Sequence, residues 1–111
     1  MGGIGVPLLE KLAIPQFVNK LYDITIFQTP HFGQKKGYLQ VYRLKVKGSN
    51  HDDILYEVFR MFNVGDLIPK DYTARYIQTG DIIFIDEGKS GHHYYRLETG
   101  GWKSVNRVHI R

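Results

Sequence analysis

Few residues in this chain could do chemistry. Three carboxylates cluster late, Asp81, Asp86 and Glu87, and five histidines are spread along the sequence, His31, His51, His92, His93 and His109. General acid–base catalysis needs two carboxyls that converge on a cleft. Asp86 and Glu87 adjoin at the end of the apolar run Ile82–Ile85, so neighbouring side chains there are expected to point apart. Asp81 follows Gly80, the setting of a turn residue that bonds its own backbone. Consecutive residues on a strand face opposite sides, so His92 and His93 are not expected to chelate one ion. No third ligand lies at a diagnostic spacing from them, and no metal site is assigned. Ser49, Ser90 and Ser104 lack a nucleophile-elbow context, and the glycine fingerprints of phosphate and dinucleotide sites are absent. The chain has no cysteine, which removes disulfides, zinc–thiolate sites and a thiol nucleophile. No catalytic residue and no cofactor are assigned; the expectation is a protein that binds something. An enzyme using Asp81 or Glu87 is kept as a third reading.

Cations are more plentiful. The net charge is +4, a mild bias toward acidic partners. In the run Tyr38–Lys47, Arg43, Lys45 and Lys47 share one side with Leu39 and Val41, while Tyr38, Tyr42, Leu44 and Val46 share the other. Lys35 and Lys36 sit in the preceding loop. In the final segment Lys103, Arg107, His109 and Arg111 recur at period two, opposite Trp102, Val108 and Ile110. If these two strands are neighbours, they make one positive surface that could dock on an acidic protein or track phosphates. Tyr94 and Tyr95, with Trp102 across a Gly100–Gly101 turn, offer aromatic contacts. One tyrosine and Trp102 are expected in the core, where aromatics dominate small interiors. Arg75 and Arg107 could pair with Asp71, Asp81 or Glu87 in a sheet-spanning ion pair, the preferred reading; a cleft arginine for an anionic ligand is the alternative.

These side chains need elements to position them. Asp23–Thr29 is rich in β-branched and aromatic residues and reads as a strand. Pro30–Gly37 reads as a basic loop, making a hairpin with Tyr38–Lys47. Ser49 or Asn50 can cap a helix over Asp52–Phe62, whose Ile54, Leu55, Val58, Phe59 and Phe62 form an apolar stripe. Asn63 and Gly65 can end it. After a loop over Leu67–Tyr72 come three short β-rich runs separated by dense turn signals: Ile82–Ile85, His93–Leu97 and the segment from Trp102 to the end. An Asp23–Thr29 edge left exposed could pair with another chain.

At 111 residues the chain reads as one domain, long enough for a modest core. Residues 1–21 read as an N-terminal extension with a short helical stretch over Leu8–Tyr22, broken by Pro15; residues 22–111 read as the folded domain. No apolar run is long enough to span a membrane, and the N-terminus lacks a secretory pattern. Absent cysteines fit a reducing cytoplasm, which is the expected location.

Several segments carry a family resemblance. DITIFQT (Asp23–Thr29), FGQKKGY (Phe32–Tyr38), YEVFRMFNV (Tyr56–Val64), IPKDY (Ile68–Tyr72), TGDII (Thr79–Ile83) and GGW (Gly100–Trp102) together resemble the YodL-like family, over about Tyr22 to Arg111. Arg75, Gly80, Asp81, Tyr94, Tyr95, Gly101 and Trp102 also fit a pattern similar to modules of large conjugative-element proteins. The family is found in spore-forming Gram-positive bacteria and is not an enzyme family. The resemblance implies a regulator, linked to sporulation, that acts on MreB, the actin-like protein whose filaments set rod width. It supplies no residue roles.

The expectation is therefore an α+β domain, a twisted, mostly antiparallel sheet of about five strands with one helix packed on a face. Its binding surface is expected to be the basic set Lys35, Lys36, Arg43, Lys45, Lys47, Lys103, Arg107 and Arg111, with Tyr94 and Tyr95 as aromatic contacts. The expected partner is an acidic protein surface, MreB by resemblance. A small β-rich nucleic-acid module is the alternative.

Overall fold

The structure is a computed structural model that describes residues 19–31 and 33–108. Five strands form one antiparallel sheet: β1 (Lys20–Gln28), β2 (Leu39–Gly48), β3 (Ile82–Asp86), β4 (His92–Glu98) and β5 (Gly101–Val105). One α-helix, α1 (His51–Asn63), lies between β2 and β3 in sequence. The spatial order is β2-β1-β3-β4-β5. The chain makes a β1–β2 hairpin, then crosses from the β2 edge, past β1, to start β3. Both β2 and β3 run antiparallel to β1, so they are parallel to each other. A connection between parallel strands needs a long crossover, and α1 supplies it. This is the α+β architecture expected.

Helix α1 starts where the sequence provides a cap. Asn50 Oδ1 accepts from the Asp53 backbone N–H at 2.8 Å, and Asp53 Oδ2 accepts in return from Ser49 N at 3.0 Å. Asp52 and Asp53 favour the same end through the helix dipole. The glycine before this cap is held by close packing: a Cβ on Gly48 would sit 2.6 Å from Ile54 Cδ1. The far end departs from expectation. Asn63 is the last helical residue, and extended Val64 (φ −114°, ψ 114°) follows it, so no left-handed cap is used. Asn63 instead clamps the crossover loop, donating to Ile77 O at 3.0 Å and accepting from Ile77 N at 2.9 Å.

The main core lies between α1 and the sheet. Tyr22, Ile24, Ile26, Val46, Ile83 and Ile85 meet Ile54, Leu55, Val58 and Phe62 there, with Tyr72 and Ile77 from the crossover loop. Tyr95, Leu97 and Trp102 are only partly buried and pack at its margin, so the tyrosine and the tryptophan expected in the core border it instead. Phe59 is not in the buried stripe; it is 39% exposed. A smaller cluster on the opposite sheet face joins Phe27, Tyr38 and Ile82, packed by Phe84, Tyr94, Val105 and Val108.

Several expectations are corrected. A bulge opposite Ile26–Phe27 shifts the β1–β2 register, leaving Val41 as the extra residue. One extra residue reverses the facing of everything beyond it. Tyr38 therefore joins the cluster away from α1 instead of sharing a face with Tyr42, and Val41 packs toward the α1 side. Strand β1 is flanked by β2 and β3, so Asp23–Thr29 is no edge; among the described residues the edges are β2 and β5. Strand β5 stops at Val105 and bends at Asn106, a poor strand former, so Arg107 is not on a strand. The helical reading of Leu8–Tyr22 falls mostly outside the described residues, and Lys20–Tyr22 belongs to β1. No described helix is long and apolar enough to cross a membrane.

Candidate functional site

Four places could carry function. The first is the predicted basic surface, which the sheet order divides. Strands β2 and β5 are at opposite edges, four strand spacings or about 19 Å apart. Arg43, Lys45 and Lys47 lie along the β2 edge, and Lys103 lies on β5. Lys35 and Lys36 are in the hairpin loop at the other end of β2; Lys35 lines a cleft with Tyr38, Arg96 and Glu98. Arg107 follows β5 and is exposed, and Arg111 and His109 lie outside the described residues. Arg43 is already paired, with Nη2 at 2.5 Å from Asp23 Oδ2. The guanidinium holds the Asp23 carboxyl below its ordinary range. Lys45 and Lys47 are exposed and have no ion-pair partner among the described residues.

The second is aromatic, and it is not the predicted pair. Tyr94 stacks on Phe84 at 4.7 Å on the face away from α1, while Tyr95 points to the α1 side and bonds His51. The exposed aromatic area lies on α1 itself. Tyr56 is 66% exposed, and with Phe59, Leu55, Leu97 and Trp102 it lines a shallow apolar groove between α1 and β5. The helical stripe rule assigned Phe59 to the core and left Tyr56 unremarked. The signal for both was present: Tyr56, Phe59 and Arg60 are spaced to share a second helix face.

The third is buried and polar. Asp81 is 1% exposed, and its Oδ2 accepts from Arg75 Nη1 at 2.7 Å, Gln28 Nε2 at 3.1 Å and Gln78 N at 2.9 Å. This is the expected ion pair, with Arg75 to Asp81 as its members. Its backbone also extends the sheet, because Asp81 O accepts from Leu97 N at 2.9 Å. The carboxylate ties the crossover loop to β1. Asp71, by contrast, accepts from the Tyr42 hydroxyl at 2.5 Å.

The fourth gathers residues that the sequence kept apart. Lys20 opens β1, His51 opens α1, Glu87 follows β3, and His93 and Tyr95 are on β4. The antiparallel pairing brings all five to one end of the sheet. Glu87 Oε1 lies 2.7 Å from His51 Nε2 and 3.2 Å from His93 Nε2. Glu87 Oε2 accepts from Lys20 Nζ at 2.9 Å, and His51 Nδ1 is 2.6 Å from the Tyr95 hydroxyl. The loop closes through Glu87 N donating to Gly91 O at 2.9 Å. Gly91 has φ +127°, and a Cβ there would lie 3.2 Å from His93 Nε2. His51, Glu87 and His93 each offer a donor atom, all within 4.8 Å of one another. Asp86 turns away to Gly88 N and His92, so adjacent Asp86 and Glu87 diverge as expected, as do His92 and His93.

The Lys20 ammonium and then the His51 ring hold the Glu87 carboxyl below its ordinary value of 4.5. A depressed folded-state value stabilises the fold above the unfolded value, and that contribution fades as pH falls below 4.5 through the folded value. Wild type is therefore expected to exceed Glu87→Gln in stability at neutral pH, with the gap closing below pH 4.5. Urea melts of both proteins across that range check it; a constant gap contradicts it.

No protein-family model and no solved structure match the chain. Over 90 residues it is 53% identical to a Bacillus subtilis (strain 168) protein described as uncharacterized protein YodL. That span covers 81% of this chain and 86% of the Bacillus protein. The chain belongs to the YodL family. The segments from Asp23 to Trp102 that carried the resemblance supply most of β1, the second half of α1, part of the crossover, the Asp81 turn with the start of β3, and the start of β5. Sequence reasoning missed this YodL-family chain's histidine–glutamate cluster because His51 sits 36 residues before Glu87, across α1 and the crossover.

Proposed function

We propose that this chain is a non-catalytic regulator that binds an actin-like filament protein of the MreB class in the cytoplasm and so alters cell shape, in a sporulation setting. The observation that carries a protein-binding reading is the exposed groove of Tyr56, Phe59 and Trp102 between α1 and β5. Aromatic side chains in a groove are the usual anchors of protein interfaces. Membership in the YodL family supports the choice of partner class. The net charge of +4 and the exposed Lys45 and Lys47, which have no ion-pair partner among the described residues, support an acidic surface on that partner. Among the described residues the predicted cations are split between opposite sheet edges instead of forming one continuous track, which favours a protein partner over a phosphate backbone.

The two features are expected to act on different rates. Lys45 and Lys47 lie on the edge opposite the groove, so they act through the long-range field that steers encounter, whereas the groove aromatics set residence time. Lys45→Glu with Lys47→Glu should slow association about tenfold at low salt and flatten its salt dependence. Arg107 follows β5, the strand that borders the groove, so Arg107→Glu should slow association as well. Tyr56→Ala with Phe59→Ala should speed dissociation about thirtyfold or more. Surface plasmon resonance on immobilised, nuclease-treated actin homologue reads both. Equal kinetics for wild type and both double variants would remove this surface from the proposal, and binding lost on nuclease treatment would move it to nucleic acid.

A further inference from the structure

We infer that His51, Glu87 and His93 form a binding site for a divalent transition-metal ion of the zinc class. Two stretches distant in sequence, the start of α1 and the β3–β4 loop with the start of β4, deliver two imidazole nitrogens and one carboxylate oxygen to one point. Ligand atoms 2.0–2.1 Å from a tetrahedral zinc stand about 3.3 Å from each other. The His51 and His93 Nε2 atoms are 2.7 and 3.2 Å from Glu87 Oε1 and all three donors lie within 4.8 Å of one another, so side-chain rotation can bring them around one ion. The two rings approach with centroids 4.5 Å apart, both turning a nitrogen to the same oxygen. An ion between them satisfies all three donors at once.

The surroundings supply what such a site needs. A metal-bound histidine usually hands its other N–H to an oxygen, which fixes the ring and its tautomer. The Tyr95 hydroxyl stands 2.6 Å from His51 Nδ1 in that position. Lys20 holds Glu87 Oε2 at 2.9 Å and leaves Oε1 for the ion. The side chains of His51, Glu87 and His93 are 22%, 14% and 37% exposed, so an ion can enter and a water can complete its shell. Two imidazoles with one carboxylate suit zinc and its neighbours; calcium and magnesium require more oxygen ligands than the site has. Binding would pin the first turn of α1 to the β3–β4 loop. The inference stands independently of which partner the protein binds.

The test uses the full chain without a histidine tag, stripped with chelator and titrated with zinc chloride by calorimetry. One saturable equivalent is expected, together with a melting temperature that rises with zinc concentration. His93→Gln and Glu87→Gln should each weaken binding at least about tenfold, and Tyr95→Phe about tenfold. His31→Ala, in the hairpin loop, should leave it unchanged. Absence of saturable binding, or equal affinity in wild type and His93→Gln, would overturn the site. Should these variants fail to fold, the wild-type histidine proton resonances decide. Zinc shifting His51 and His93 but not His31 supports the site, and the reverse refutes it.

Discussion

Asp81→Ala should cost about 3 kcal/mol of folding stability, the lower end of the range for removing one partner of a buried ion pair. The lower end applies because Arg75 keeps 31% side-chain exposure and water can compensate part of its charge. Three donors converge on the lost carboxylate: Arg75, the Gln28 amide and the Gln78 backbone N–H. Gln28 is itself buried, and its amide would keep only the Tyr72 hydroxyl and the carbonyls of Arg75 and Tyr76. Asp81→Asn should cost less, since an amide oxygen can still receive the Gln78 N–H. Arg75→Met gives the second leg of a double-mutant cycle: Asp81→Ala should cost less in that background, because no cation is left unpaired. Urea unfolding monitored at Trp102 measures the four proteins of the cycle and Asp81→Asn. A loss below about 1 kcal/mol for Asp81→Ala would mean the network is not what fastens the crossover loop to β1.

Phe62→Ala should be comparably severe, about 4 kcal/mol. Phe62 is fully buried and stands edge-on to both Tyr42 at 5.6 Å and Tyr72 at 4.7 Å. The two tyrosines also meet each other at 5.5 Å, so the three rings join β2, α1 and the crossover loop. Removing the central ring leaves a cavity that three elements would have to move together to fill. Phe59→Ala is the natural control. That ring is 39% exposed and faces the groove, so truncation should change stability by less than about 1 kcal/mol. Equal losses for the two variants would contradict the packing described and return Phe59 to the core.

The contrast between Phe59 and Phe62 shows how far the sequence could be read. Strand runs and the helix were legible because their signals are local: alternation in Tyr42–Val46, the Asn50 cap, the continuous apolar run Ile82–Ile85. Their pairing as antiparallel hairpins followed from short turns. What stayed hidden depends on relations between distant segments. A single bulge residue, Val41, turned Tyr38 to the other face, and nothing in the local pattern marks it. The insertion of β3 beside β1 put β2 and β5 at opposite edges and broke the expected basic surface into separate parts. The same insertion assembled His51, Glu87 and His93, whose spacing matches no local ligand motif. Asp81 was legible as a turn residue and as an ion-pair partner for Arg75; its hold on Gln28 of β1 was not.

The proposed function meets its most direct test in co-sedimentation. Purified full-length protein, treated with nuclease, would be spun with assembled filaments of an MreB-class actin homologue and quantified in the pellet. The account predicts saturable pelleting of wild type with the filaments, and its loss in the Tyr56→Ala, Phe59→Ala double variant, which should still melt like wild type. Wild type left in the supernatant at saturating filament, or a double variant that pellets equally well, would contradict it.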